Sequence, residues 1–198
     1  EELKIFMGSE GLQVKGRRLA DYDDRSVLKI GRFEVIHAKY GGADVCLKKF
    51  SLLRDMNSYL KEIVTPQRLT HRPIINYTAA FEDEDSIYIE MEYCKHGSLI
   101  DWMQTSNPDE AQRQSVLRQV LLALACMHDT KIVHCDIKGE NVLVAEDGTV
   151  RICDFELSKA LGGAASASTM VGGTLGFIAP EIKDKTQKPS PASDMYSY

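Results

Sequence analysis

Between Ser26 and Phe81, short apolar runs and polar breaks alternate on either side of one longer amphipathic stretch. Val27, Ile30, Val35, Ile36, Val45 and Leu47 fall in segments of strand length, and Tyr40-Gly41-Gly42-Ala43-Asp44 reads as the turn among them. Residues 53–69 predict a helix, interrupted at Pro66. Residues 87–92 set Ile87, Ile89 and Met91 against Tyr88, Glu90 and Glu92, the period of a strand. Beyond Gly97-Ser98 the period lengthens. Residues 111–128 carry Val116, Val120, Leu124 and Met127 on one helical face, with Leu117 and Leu121 beside them. Residues 141–145 and 149–153 then predict two short strands joined through Asp147-Gly148. Residues 1–25 are charged and broken by Gly8, Gly11 and Gly16, and read as a lead-in or linker with little to anchor it. A strand-rich first part and a helix-rich second part predict two lobes with a cleft between them.

Composition fits a globular chain without choosing its function. At 198 residues there is room for a substantial core, and 43% hydrophobic with 27% charged residues is ordinary for a soluble domain. A net charge of −5 argues against nucleic acid or an anionic membrane surface as the principal partner. Cys46, Cys94, Cys126, Cys135 and Cys153 are scattered, odd in number and without a C-x-x-C pair. They read as reduced thiols of a cytoplasmic protein, with the nucleus left open, rather than as a disulfide frame or zinc site. The longest apolar run, 120–127, is too short to span a bilayer. The start carries no signal-peptide pattern, and its first residue, Glu1, reads as that of an excised segment. Residues 162–168 form a small-residue stretch of flexible character.

Four short segments stand in fixed order. They are Val45-Cys46-Leu47-Lys48, then His134-Cys135-Asp136-Ile137-Lys138-Gly139-Glu140-Asn141, then Asp154-Phe155-Glu156, then Ala179-Pro180-Glu181. Asn141 lies five residues after Asp136, and Asp154 thirteen after Asn141. Together they resemble the protein-kinase signature: strand lysine, catalytic loop, metal-binding triplet and end of the activation segment. The resemblance runs from about Ser26 to Tyr198. It implies a bilobal α+β domain over 26–198, with an N-lobe to about 92, a hinge at about 92–96 and part of a C-lobe from 97.

Phosphoryl transfer asks a protein mainly for positioning and charge neutralisation. The resemblance makes Lys48 the cation for the α/β-phosphates of ATP, and Glu62 its carboxylate partner in a helix like the family's αC. His71, nine residues after Glu62, agrees with that register. Asp136 corresponds to the group that accepts or orients the substrate hydroxyl proton, and Asn141 and Asp154 to the Mg²⁺ ligands. Lys138, with Thr174 in Gly173-Thr174-Leu175-Gly176-Phe177-Ile178, resembles the serine/threonine-kinase version of the site. That version also argues against a small-molecule phosphotransferase. The same register puts Met91 at the gatekeeper position and Glu92, Tyr93 and Cys94 at the adenine hinge. Ile30, Val35, Cys46 and Leu143 fall where apolar side chains sandwich the ring. His134 and Phe155 are expected to pack in an internal hydrophobic stack. The implied partner is a protein substrate or a partner protein, and the oligomeric state is left open.

The chain departs from the pattern in five places. Residues 30–38 keep only Gly31 of the family's glycine-rich loop, which predicts a shortened loop with a weak phosphate grip, Arg32 offering charge and Glu34 opposing it. Glu156 replaces a glycine, which predicts backbone strain and adds negative charge beside the metal position. Cys135 replaces the arginine that receives activation-loop phosphate, so Ser166, Ser168 and Thr169 read as part of a mobile loop rather than a switch. Pro66 predicts an early end or kink, at about 3 kcal/mol, that loosens the Lys48–Glu62 pair. Residues 193–198 resemble only the start of the family's αF helix. The expectation is therefore a truncated C-lobe that leaves part of the apolar face of 111–128 uncovered. Two functions follow: ATP- and Mg²⁺-dependent phosphorylation of protein serine or threonine, or a pseudokinase acting as a binding or scaffold module. The retained site residues favour the first, the departures the second.

Overall fold

Gly41 and Gly42, with φ of 57° and 84°, close a two-residue hairpin between β2 (Glu34–Tyr40) and β3 (Ala43–Ser51). Positive φ at both central residues is what a type I′ turn requires, and such a turn matches the twist of its strands. The register that follows pairs Tyr40 with Ala43 and Val35 with Lys48. The structure is a computed structural model and describes residues 16–52, 55–67, 69, 73–161 and 173–198. It divides into two units. Residues up to Val64 together with Ile75–Tyr93 form the first, and Thr65–Ile74 with Cys94–Tyr198 form the second. His71, Ser166, Ser168, Thr169 and the 162–168 stretch lie outside the described residues.

In the first unit β1 spans Asp23–Ile30, β4 Tyr77–Asp83 and β5 Ser86–Glu92. With β2 and β3 they form an antiparallel sheet in the order β1-β2-β3-β5-β4. Helix α1 occupies Met56–Gln67, against the 53–69 expected; residues 53, 54 and 68 are outside the description. Tyr59 and Ile63 of α1 pack with Phe33, Phe50, Ala80, Ile87 and Ile89. A separate cluster joins Tyr22, Ile36, Ala38, Leu47, Phe81 and Tyr88. The alternation along β5 therefore separates two cores, and Ile87 through Met91 are all buried.

The second core depends on residues that the sequence pattern assigned to an unanchored lead-in. Its anchoring begins at Arg17. A 3₁₀ turn at Leu19–Asp21 delivers Tyr22 to a ladder of rings, 5.3 Å from Phe81 and 5.1 Å from Tyr40. The Leu19 N–H donates to Asp83 Oδ2 at 2.6 Å. Beside the ladder Glu90 is buried on β5. Its carboxylate accepts from Tyr22 Oη at 2.6 Å, from Thr78 Oγ1 and from the guanidinium of Arg17. That guanidinium also lies 3.9 Å over the Tyr40 ring. Burial alone would raise the Glu90 pKa. The hydrogen bonds from Thr78, Tyr22 and Arg17, with the charge of Arg17, outweigh it and hold the carboxyl below its ordinary 4.5.

The second unit begins with capped helices. Ser98 and Asp101 exchange hydrogen bonds at the start of α2 (Leu99–Thr105), and Asp109 and Gln112 do so at the start of α3 (Glu110–Asp129). Val116, Val120, Ala123, Leu124 and Met127 form the buried stripe of α3, while Leu117, Leu121 and Leu122 are exposed. β6 (Ile132–Val133) pairs with β9 (Lys159–Ala160), and β7 (Val142–Val144) with β8 (Val150–Ile152). Gly148, at φ 76°, makes the β7–β8 turn. Two short helices, α4 (Pro180–Lys183) and α5 (Pro191–Ser197), each begin on a proline.

Candidate active site

In the first unit, β3 and α1 bring opposite charges together. Lys48 Nζ lies 3.1 Å from Glu62 Oε1, with the side chains 7% and 1% exposed. The ammonium also sits 5.0 Å from the ring centre of Phe33 and 5.4 Å from that of Phe50, contacts that offset part of its desolvation. Tyr77 Oη donates to the same carboxylate oxygen, Glu62 Oε1, at 2.7 Å. The loosening expected from Pro66 is not observed. Pro66 lies in the last turn of α1, and the Leu69 N–H closes on its carbonyl at 2.8 Å. So close to a helix end, a proline removes one N–H without breaking the turns that carry Glu62.

In the second unit, the loop after β6 carries Asp136, whose carboxylate meets four donors. Thr174 N and Oγ1 each reach Oδ1 at 3.0 Å. Lys138 Nζ and Asn141 Nδ2 reach Oδ2 at 2.8 and 2.9 Å. Lys138 Nζ also donates to Thr174 Oγ1 at 2.6 Å, closing a triangle. Glycine at 173 permits this approach. Its φ is 130°, and a Cβ there would lie 3.2 Å from the Cys135 carbonyl oxygen. A cavity adjoins Asp136, lined by Cys135, Thr174, Phe177, Ile178 and Ile182 among others.

The loop hangs on Asp194 of α5, which is fully buried. Its Oδ2 accepts from the His134 N–H at 2.9 Å, its Oδ1 from the Cys135 N–H at 2.9 Å, and His128 Nε2 lies 2.9 Å from Oδ2. Cys135, at φ 69°, is kept in the left-handed region by this grip. Asparagine at 194 keeps one accepting oxygen and turns an N–H₂ toward a second donor. Asp194→Asn is therefore expected to lower the unfolding free energy by about 1–3 kcal/mol, read from urea denaturation beside the wild type.

The β7–β8 hairpin sets the two candidate metal ligands at its open end. The Cys153 N–H donates to the Asn141 carbonyl at 3.0 Å, so Asp154 follows directly on a residue bonded to Asn141. Asn141 Nδ2 is taken up by Asp136, at 2.8 Å to its carbonyl and 2.9 Å to Oδ2, which leaves the amide oxygen for a cation. Asp154 takes φ 68°, ψ 67°, and Phe155–Leu157 follow as a 3₁₀ turn. The strain expected at Glu156 thus falls on Asp154; Glu156 is absent from the positive-φ residues. Phe155 is fully buried, its ring 5.0 Å from that of His134. His134 accepts from the Asp136 N–H at Nδ1, 3.3 Å, and donates from Nε2 to the Cys153 carbonyl, 3.1 Å. Both ring nitrogens serve the backbone, which makes the ring a structural one.

The residues expected around adenine divide between the units. Cys46 and Met91 face each other across β3 and β5, both buried. Burial pushes the Cys46 thiol up to about 12, so it behaves as an apolar side chain. Val35 is half-buried opposite Lys48, whereas Ile30 is 83% exposed. Glu92 exchanges hydrogen bonds with the Asn76 backbone, and Tyr93 lies 4.5 Å from the His37 ring. In the second unit Cys94 is buried, and Leu143 is half-buried in β7, bridged to Ser98. The β1–β2 connection is only Gly31-Arg32-Phe33, with Ile30 paired to Glu34. Phe33 is buried, 4.5 Å from the Phe50 ring.

A family model described as the protein kinase domain matches residues 31–198. The chain belongs to the protein kinase domain family. It is 32% identical over 92% of its length to the probable serine/threonine-protein kinase zyg-1 of Caenorhabditis briggsae, covering 26% of that protein. It is 30% identical over 95% of its length to a bifunctional serine/threonine-protein kinase/NEDD4-like E3 ubiquitin-protein ligase of Dictyostelium discoideum, covering 10% of it. It is also 32% identical over 89% of its length to a calcium/calmodulin-dependent protein kinase type 1 of Caenorhabditis briggsae, covering 52%. The kinase domain therefore spans between a tenth and about half of these relatives. Among the described residues, no helix is long and apolar enough to cross a membrane.

Three residues of this kinase domain's site escaped the sequence pattern. Asp194 reads as an ordinary acid in the first turn of a proline-started helix, and nothing local marks it as the anchor of a loop sixty residues earlier. Phe33 reads as a loop residue. Tyr77 sits on β4 beside a register shift between Tyr77 and Ala79, which no period-two pattern announces.

Proposed function

We propose that this kinase domain transfers the γ-phosphoryl group of ATP, with Mg²⁺, to serine or threonine hydroxyls of a protein substrate. The observation that carries the reading is the Asp136–Lys138–Thr174 triangle with the cavity beside it. Asp136 orients the incoming hydroxyl and accepts its proton, Lys138 neutralises charge that develops on the transferring group, and Thr174 fixes both. Lys48, steadied by Glu62, binds the α/β-phosphates. The donor set fits a hard cation: the Asn141 amide oxygen and the Asp154 carboxylate are the two oxygen donors of this chain that would hold Mg²⁺. When bound, Mg²⁺ offsets the negative charge of the phosphates. Met91, Glu92, Tyr93 and Cys94, with Ile30, Val35, Cys46 and Leu143, make up the adenine-binding set. A cytoplasmic setting belongs to this reading and rests on the scattered, odd-numbered cysteines of the sequence.

A second reading, a pseudokinase that binds partners without phosphotransfer, is favoured by one observation. The three-residue β1–β2 turn offers few backbone amides to phosphate, and its Phe33 is buried beside Lys48. The purified protein, incubated with Mg²⁺ and ATP, decides between them by intact mass. Phosphate gain is the expected outcome. No gain, together with a melting temperature that Mg·ATP does not raise, establishes the scaffold reading.

A further inference from the structure

The kinase pair Lys48–Glu62 has a third member with no assigned role. Tyr77 is the first residue of β4, paired with Met91 on β5. In an unbroken strand it would share a face with Ala79 and Phe81. The ladder shifts register between Tyr77 and Ala79, and the shift reverses the alternation. Tyr77 packs on the cluster that holds Ala80, Ile89 and the α1 residues Tyr59 and Ile63, while Phe81 belongs to the opposite core. Thr78 moves the other way and donates to Glu90. Bulges of this kind re-aim side chains. Here the result is a phenol aimed at one atom. Tyr77 Oη reaches Glu62 Oε1 at 2.7 Å, the oxygen that Lys48 Nζ meets at 3.1 Å.

We propose that Tyr77 is a positioning residue for nucleotide binding, holding Glu62 Oε1 in the place from which it aims the Lys48 ammonium at phosphate. A carboxylate tied only to a lysine can swing with it. One that also accepts from a hydroxyl fixed to the sheet cannot, so the lysine is preorganised before any phosphate arrives. The inference rests on the phosphotransfer reading, since it gives Lys48 a phosphate to bind.

Calorimetric titration of the wild type, Tyr77→Phe and Thr78→Ala with Mg·ADP and with adenosine tests it. Phenylalanine keeps the ring and its packing. Adenosine has no phosphate and reports the base site alone. Tyr77→Phe is expected to weaken ADP binding about tenfold and leave adenosine affinity unchanged, while Thr78→Ala, on the other face, changes neither. A merely structural hydroxyl would alter both ligands alike or neither, and either result overturns the proposal. The same titrations, run below the melting temperature of each variant, are repeated in Glu62→Gln and Glu62→Gln/Tyr77→Phe. If removing the hydroxyl costs as much ADP affinity in the Glu62→Gln background as the proposal expects with the carboxylate intact, Tyr77 does not act through Glu62. A wild type that binds neither ligand removes the phosphotransfer reading itself, and this inference falls with it.

Discussion

Asp136→Asn will slow phosphate incorporation about a thousandfold. The substitution keeps the shape and one accepting oxygen, so Thr174 can retain its two hydrogen bonds to Oδ1. It replaces Oδ2 by an N–H₂ facing Lys138 Nζ and Asn141 Nδ2, both donors. The group that accepts the hydroxyl proton is lost, and so is the anion that holds Lys138 in place. General-base catalysis is worth about 10²–10⁴, and a fall in kcat of about 10³ is expected. Phosphorylation at the wild-type rate in the variant would show that the triangle is not the catalytic centre.

Arg17→Ala should give the largest loss of stability. Glu90 is 4% exposed and Arg17 9%, and deleting one partner of a buried ion pair costs about 3–5 kcal/mol because the other charge is left uncompensated. The pH dependence separates this from lost packing. In the wild type, the lowered Glu90 pKa contributes stability that is present above the ordinary 4.5 and fades as pH falls through the folded value. Without Arg17 its hydrogen bond and charge no longer lower the Glu90 pKa, which rises, so the deficit is greatest near neutral pH and shrinks on acidification. Urea unfolding at neutral and acid pH reads both. Arg17→Ala/Glu90→Gln should recover part of the loss at neutral pH, and a double mutant no more stable than the single would mean that Glu90 is not the cause.

What could be read in the sequence was local. Gly41-Gly42 announces its turn because positive φ is a property of single residues. The order and spacing of Lys48, Asp136, Asn141 and Asp154 identified the family because each motif is contiguous. Non-local effects were not legible. Glu90 alternates with Ile89 and Met91 just as a solvent-facing glutamate would, and only the cover supplied by Tyr22 and Arg17 buries it. The register shift beside Ala79 turns Tyr77 to the face of Glu62, reversing the parity on which a pattern reading depends. The strain assigned to Glu156 belongs to Asp154 because the left-handed residue is the one that caps the 3₁₀ turn, and Glu156 lies inside that turn. Pro66 brings the early helix end expected of it, α1 stopping at Gln67, but the Lys48–Glu62 pair is not loosened.

The ion pair behind the sheet also constrains how this chain can vary. Arg17 and Glu90 are 73 positions apart, and the first lies ahead of the family match that begins at residue 31. Neither can be replaced alone without leaving a buried charge or a guanidinium with nothing to neutralise. Substitutions at the two positions are thereby tied: descendants that lose the arginine should carry an uncharged residue on β5, and those that keep the glutamate should keep a cation five residues before the tyrosine of the ring ladder.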